Sequence, residues 1–334
     1  MSRKKIALVT GGYSRESEIS YRTANTILSQ LDRATFDIFY IDITRKGWYY
    51  VDAEKNLIPV CKDDFTITVS GQRIQFDAVF IAMHGTPGED GKLQGYFDML
   101  GIPYTGCDAA TSAMTFNKRY ATAVAGAAGI AVARSVLLIK EQSPEGWQEA
   151  AALRFPVFVK PNNGGSSIGM SKVDHPGADL EEAIYKAFAE DSQVLVEEMV
   201  QGREFTVGVF STGGELTVLP ITEVKANADM PFFDFEAKYQ GKSTETTPAE
   251  IEEGMAEKIR AAAKKVYSAF NCRGVVRIDF IYQESEQEPY MLELNAIPGQ
   301  SEASIIPQQV RSMGWALSKL YNTLLLDCLA STSK

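Results

Sequence analysis

The sequence predicts an α/β N-terminal region followed by α+β lobes, in two or three domains. Three observations predict it. Short apolar runs alternate with segments of helical spacing through the first hundred residues, the mark of βαβ units and a parallel sheet. Further on, FPVFVK leads into the Gly/Ser-rich stretch PNNGGSSIGM and out into SKV, so strand, pliable loop and strand follow one another. Finally, VVRIDFIY and YMLELNAIPG flank the polar linker QESEQEP, which reads as a hairpin. At 334 residues the chain exceeds one ordinary core.

The elements follow in order. IALVT is a buried strand that runs into a Gly-Gly turn, and residues 18–31 are helical, with Ser14 or Ser17 as N-cap. FDIFYIDIT is a second strand, WYYV and NLIPV make a small hairpin, DAVFIAM is a further strand and LQGYFDMLG a helix. GIPYTG closes this block with turn residues. A second block, from Thr111 to Val200, opens with a helix. It continues through strands SVLLI, FPVFVK and SKV, a helix near 179–190 and strand VLVEEMV. The third block has strands EFTVGVF and LTVLPITEV, then KANADMPFFDFEAKYQGKSTETTPAE, which is aperiodic and too long for a plain connection. A helix over 250–270 precedes the Arg277 hairpin, and another over 314–330 follows it.

Composition narrows the function classes. Hydrophobic residues make up 45% and charged residues 23%, an ordinary soluble balance. A net charge of −10 argues against broad nucleic-acid binding, so an anionic ligand needs locally placed Lys and Arg. The four cysteines are scattered without a CxxC pair, which points to a reducing compartment and no structural zinc. Two histidines exclude a His-rich metal site. The basic MSRKK precedes a run too short for a signal peptide, and no stretch is apolar enough to span a bilayer. The expectation is a cytosolic protein without a nucleic-acid or membrane partner.

Several motifs can carry chemistry. Residues i and i+2 of a strand share a face, so Arg277 pairs with Asp279 and Glu293 with Asn295. A hairpin would gather all four, and burying them calls for a charged ligand; such oxygen ligands suit Mg²⁺. Lys160 precedes Gly164, Gly165, Ser166, Ser167 and Gly169, whose backbone N–H groups can face phosphates; an ordinary Gly-Ser hairpin reads equally well. The lysine lies before the glycines, so this is not a Walker loop. Glu197 and Glu204 flank a turn and can accept from an adenine amine or ribose hydroxyls, or are simply solvated. In GGYSRESEIS, Glu16 either opens a helix or binds an ammonium group from a βα loop. HGTPGEDGKLQG, with His84, lies at a strand's C-terminal end, the ligand side of such sheets. Lys238, Tyr239 and Lys242 sit in the long loop, where a lysine can reach a phosphate.

Taken in order, HGTPGEDGKLQG, KPNNGGSSIG, EFTV, EAKY, RIDF and LELNAIPG resemble the D-alanine–D-alanine ligase family of ATP-grasp enzymes over nearly the whole chain. The resemblance implies a three-domain ATP-grasp fold. Residues 1–110 would form a substrate-side α/β domain, 111–193 a central lobe with the Gly-rich flap, and 194–334 a C-terminal lobe with the metal site. It implies ATP and D-alanine as substrates, two Mg²⁺ or Mn²⁺ ions, and a homodimer. Lys118 and Lys160 match lysines on the ATP phosphates, Glu197 the adenine-side and Glu204 the ribose-side glutamate, and Lys238 the loop lysine on the transferred phosphate. Asp279, Glu293 and Asn295 match metal ligands. Arg277 and the backbone of Gly299 match oxyanion stabilisers. Glu16 resembles the group that takes the first ammonium, with His84 near it, and Ser304 the group that holds the second carboxylate. Glu16, Ser166 and Tyr239 match a hydrogen-bonded trio.

There are departures. Phe233 and Phe235 stand where many relatives have tyrosine, so altered loop dynamics are expected, and Glu198 stands where lysine is common. Four alternatives remain: a D-alanine–D-lactate ligase, a D-alanine–D-serine ligase, an ATP-grasp module without catalysis, and another ATP-grasp carboxylate–amine ligase with a different substrate, against which the Glu16, His84 and Ser304 matches weigh. Tyr239 favours the dipeptide former, and retention of Arg277, Lys238 and the metal-facing residues favours an enzyme.

Overall fold

The computed structural model describes residues 3–140, 145–165, 168–226 and 243–331. Its first sheet contains β1 (Lys4–Gly11), β2 (Phe36–Thr44), β3 (Gly47–Val51), β4 (Leu57–Cys61), β5 (Thr66–Val69), β6 (Gln72–Ile74) and β7 (Ala78–Ile81). The order is β6-β5-β4-β3-β2-β1-β7. β1 runs parallel to β2 and β7, while β2 to β6 form an antiparallel meander. Helices α1 (Ser17–Gln30) and α2 (Lys92–Leu100) cover opposite faces. Ile6 and Leu8 pack with Ala24 and Ile27 of α1, and Ala7 and Val9 share a core with Leu93 and Phe97 of α2. Two-sided burial is why IALVT is an unbroken apolar run. The hairpin β5–β6 is an addition to the expected elements. Neither expected serine caps α1. Glu16 occupies that position without a side-chain cap bond, Ser17 is the first helical residue, and Ser14 Oγ accepts the Glu16 N–H at 3.2 Å.

Next come α3 (Ala109–Phe116), α4 (Lys118–Ala127), β8 (Ala131–Val132), β9 (Ser135–Ile139), α5 (Glu145–Ala151), β10 (Val157–Pro161), β11 (Ser171–Val173), α6 (Ala178–Phe188) and β12 (Gln193–Glu198). Asp108 and Asn117 cap α3 and α4 by accepting from Thr111 and Tyr120 N–H. The second sheet is antiparallel, in the order β11-β10-β12-β9. Its Val157, Val159, Val194 and Val196 pack with Ala150 of α5 and Leu180 and Ile184 of α6. Alternation then turns Phe158, Lys160 and Glu197 to the opposite face. The expected division at residue 193 falls at the start of β12.

The third sheet contains β13 (Arg203–Thr212), β14 (Glu215–Val218), β15 (Thr222–Ala226), β16 (Ser243–Thr246), β17 (Val275–Gln283) and β18 (Glu288–Asn295). Its order is β16-β15-β13-β17-β18-β8, with β14 also on β13. LTVLPITEV is therefore two strands rather than the one expected. Pro220 lies in the break and has no N–H for a ladder. Helix α7 (Glu253–Ala269) packs on one face with α4. On the other, α8 (Ile305–Ser312) and α9 (Leu317–Ser331) lie between the first and third sheets; α8 was not expected. Tyr321 of α9 meets Phe80 of the first sheet edge-on, which ties the chain's last helix to its first domain.

Gly274 precedes β17 at φ +63°, and a Cβ there would lie 2.9 Å from the N and Cα of Gly106. Gly274→Ala should lower stability by about 1–3 kcal/mol through strain and backbone collision. Gly254→Ala, in α7 with nothing within 4 Å, should leave the thermal midpoint unchanged or higher. Thermal melts of both variants check this; equal effects would contradict it.

Candidate active site

β17 and β18 pair directly, with Arg277 opposite Asn295 and Asp279 opposite Glu293. The register shifts between Asp279 and Phe280, because Phe280 pairs with Met291 and leaves Leu292 as an extra residue. This bulge decides which way the polar residues point. Met291 and Leu294 both lie in the core beneath the sheet, although they are three apart. Leu292 and Glu293 both line the cleft above it. In an unbroken strand Met291, Glu293 and Asn295 would share one face. The bulge lets methionine face the core and the polar pair face the cleft.

The four side chains form one network. Arg277 donates to Asp279 Oδ1 and Oδ2 at 2.9 and 2.8 Å, and its guanidinium is 3.5 Å from Glu293. Asn295 Nδ2 donates to Asp279 at 3.4 Å and Glu293 at 3.3 Å. Thr206 Oγ1, on β13, donates to Asp279 Oδ1 at 2.7 Å. Asp279 is buried, and the bidentate guanidinium compensates its charge. Among the described residues no group of three or more His, Cys, Asp or Glu side chains could hold a metal. This set has two carboxylates and one amide. It fits a hard divalent cation that completes its shell with phosphate oxygens, because every available donor is oxygen and the amide can turn to offer its own.

A cleft of about 1320 Å³ opens between the second and third sheets. Glu16, Lys118, Lys160, Glu197, Glu204, Asp279 and Glu293 all line it. Lys118 starts α4 and reaches across to Gly164 O at 2.6 Å. Lys160 sits diagonally across the β10–β12 pair from Glu197, and the two form a 2.7 Å ion pair. Phe158 and Ile281 add apolar wall on either side.

Glu16 enters from the first βα loop. A Cβ on Gly85 or on Gly165 would fall 2.7 Å from its carboxylate oxygens, so two glycines admit it. His84 is buried behind the cleft rather than lining it. Its Nε2 is 3.0 Å from Thr23 Oγ1, and Thr23 in turn accepts the Gln300 N–H at 3.3 Å. Ser304 Oγ lies 2.7 Å from Ser301 Oγ and 3.0 Å from the point where a Cβ of Gly299 would stand. Gly299 and Ser304 are thus neighbours, linked to the His84 side through Gln300 and Thr23. Ser166, Phe233, Phe235, Lys238, Tyr239 and Lys242 lie outside the described residues.

The sequence reading missed Thr206, although EFTV carried it, because its role depends on the β13–β17 pairing. It also missed a charged pair on the rim. Arg203 Nε donates to Glu223 Oε1 at 2.8 Å, and Lys225 lies 3.2 Å from Glu223 Oε2. The Arg203 hydrogen bond holds the buried Glu223 carboxyl below its usual range.

Two lobes closing on a nucleotide-sized cleft, with an N-terminal α/β domain at its mouth, make an ATP-grasp fold. Residues 5–107 match the family described as D-Ala–D-Ala ligase N-terminus, and residues 124–326 its C-terminus. The D-alanine–D-alanine ligase of Flavobacterium johnsoniae is 43% identical over 98% of this chain and 100% of its own. That of Flavobacterium psychrophilum is 44% identical over 91% of each. Among solved structures, the VanG D-Ala:D-Ser ligase from Enterococcus faecalis superposes with a TM-score of 0.87 at 33% identity, covering 98% of this chain and 100% of that one. The D-alanine–D-alanine ligase of Coxiella burnetii also gives 0.87, at 26% identity, covering 100% of this chain and 96% of that one. The chain belongs to the D-alanine–D-alanine ligase family.

The rim pair makes a pH-dependent prediction. A depressed folded-state pKa contributes stability that is present above the ordinary value of 4.5 and lost as pH falls through the lower folded value. Arg203→Met should therefore be less stable than the parent at pH 7, with the gap narrowing below pH 4.5. Thermal midpoints from pH 7 to pH 3.5 check this; a gap constant with pH would contradict it.

Proposed function

We infer that this protein joins two D-alanines into D-alanyl-D-alanine at the expense of ATP, for peptidoglycan precursor synthesis. The observation that carries this reading is coverage. Relatives named D-alanine–D-alanine ligase match it at 38–44% identity over 91–99% of its length. In this reaction a carboxylate oxygen of the first D-alanine attacks the γ-phosphorus and the bond to ADP breaks. The neutral amine of the second D-alanine then attacks the acyl phosphate carbonyl. The tetrahedral species expels phosphate, and the nitrogen loses a proton.

The site's parts suit these steps. Phosphoryl transfer needs positioning and charge neutralisation more than a protein nucleophile. Lys118 and Lys160 both line the cleft and would hold phosphates, and Lys160 exchanges Glu197 for phosphate when the nucleotide enters. Glu197 and Glu204 take the adenine and ribose ends. Glu16 receives the first ammonium group between Gly85 and Gly165, with His84 buried behind it. Ser304 receives the second carboxylate. Arg277 and the Gly299 N–H stabilise the oxyanion. Asp279, Glu293 and Asn295 would hold Mg²⁺ or Mn²⁺, which when bound neutralises charge on the transferring phosphoryl group. Lys238, Ser166 and Tyr239 take their roles from the resemblance alone. The same reading divides the chain at 110 and 193. It also takes the protein as a cytoplasmic homodimer without a nucleic-acid or membrane partner; no helix among the described residues is long and apolar enough to cross a membrane.

The likeness to a D-Ala:D-Ser ligase supports a second reading, in which D-serine replaces the second D-alanine. Phosphate release with product identification separates the two. The expected outcome is D-alanine-dependent release of one phosphate per D-alanyl-D-alanine, abolished by EDTA and restored by Mg²⁺. Preferential formation of D-alanyl-D-serine would support the second reading. ATP binding without amino-acid-dependent phosphate release would overturn both. Lys160→Met should raise the KM for ATP at least tenfold, loss of a charge-assisted phosphate contact being worth about 1.5–3 kcal/mol.

A further inference from the structure

Gln309 is fully buried in α8, five residues after Ser304, and does not line the cleft. Two of its hydrogen-bond partners are backbone groups of β13. That strand pairs with β15 only as far as Thr206 and with β14 only from Val209. Between them the outer neighbour is Leu219–Pro220–Ile221. Leu219 N–H reaches Gly208 O at 2.8 Å, but Pro220 has no N–H to give. The side-chain amide of Gln309 fills this gap. Its Oε1 accepts the Gly208 N–H at 3.0 Å, and its Nε2 donates to Thr206 O at 2.9 Å. Nε2 also reaches Thr222 Oγ1 at 3.0 Å, which fixes the first residue of β15. Gly208 has no side chain because this approach leaves no room: a Cβ would meet Ile306, Leu219 and Gln309 within 2.8 Å.

The clamped residue matters. Thr206 donates to Asp279 Oδ1 at 2.7 Å, on the oxygen that also takes Arg277 Nε. A continuous path therefore runs from α8, whose N-cap is Ser304, through Gln309 and Thr206 to Asp279. We propose that Gln309 is a positioning residue: it replaces a missing rung of the β13 ladder, fixes the Thr206 hydroxyl against Asp279, and couples the second-substrate helix to the metal-facing carboxylate. The inference rests on the reading of Asp279 as a metal ligand. Partners that orient such ligands affect metal affinity by about 10–100-fold when removed.

The test measures Mn²⁺ binding to the full chain with ADP, by electron paramagnetic resonance of the free ion, beside steady-state kinetics. Gln309→Met keeps the side-chain length and removes both hydrogen-bonding functions. It should weaken Mn²⁺ binding about tenfold and raise the KM for the second D-alanine. Val310→Ala, in the same helix but packed in the core beside the first sheet, should leave Mn²⁺ affinity within about twofold even where its thermal midpoint falls as far. Asp279→Asn is the reference. If Asp279→Asn loses Mn²⁺ affinity while Gln309→Met keeps it, the positioning role is overturned and the metal reading stands. If Asp279→Asn binds Mn²⁺ like the parent, the metal reading falls and the coupling with it. Should Gln309→Met fail to fold, Thr206→Val carries the test: weakened binding supports the path, and parental affinity overturns it.

Discussion

The registration of β17 against β18, with one extra residue at Leu292, is the constraint on which the site depends. Side chains on a strand alternate, so a slip of one residue exchanges the two faces completely. Here the exchange happens once and midway. Before the bulge Met291 faces the core; after it Leu294 and Ala296 do, while Glu293 and Asn295 face the cleft beside Arg277 and Asp279. Removing the bulge would place a carboxylate and an amide among Val276, Ile278 and Phe280, at a cost of several kcal/mol.

That arrangement brings two carboxylates together on a protein with a net charge of −10. Local cations balance them. Arg277 spans both acids, and Lys118 and Lys160 are engaged with Gly164 O and Glu197. Lys118 reaches a backbone carbonyl in the cleft, while Lys160 holds a carboxylate. Under the proposed reading, an arriving nucleotide's phosphates compete for these groups already in place. The fold supports this with helices between sheets: α8 and α9 join the first and third sheets into one body.

Much of this was legible in the sequence. Period-two polar residues in two apolar runs, with a polar linker between, located the β17–β18 hairpin. Apolar runs without alternation located the parallel strands. Other features lay beyond such reading because they depend on tertiary partners. Pro220 splits an apolar stretch that otherwise reads as a single strand. The bulge at Leu292 is invisible in YMLELN, whose polar spacing stays regular through it. Ser14 and Ser17 have suitable chemistry for a cap, but Glu16 takes that position and its carboxylate lies beside Gly85 and Gly165 in the cleft lining. His84 is buried on Thr23, a partner sixty-one residues away that no local pattern signals. Gln309 sits in a short helix that the sequence pattern did not signal, and its partners Thr206, Gly208 and Thr222 lie about a hundred residues away.

The most direct measurement is anomalous diffraction from crystals grown with Mn²⁺ and a non-hydrolysable ATP analogue. Manganese peaks should lie against Asp279, Glu293 and Asn295, with the nucleotide's terminal phosphate on the same ions and Arg277 still alongside. Manganese bound elsewhere, or a terminal phosphate distant from the β17–β18 face, would contradict the assignment of this hairpin as the catalytic centre.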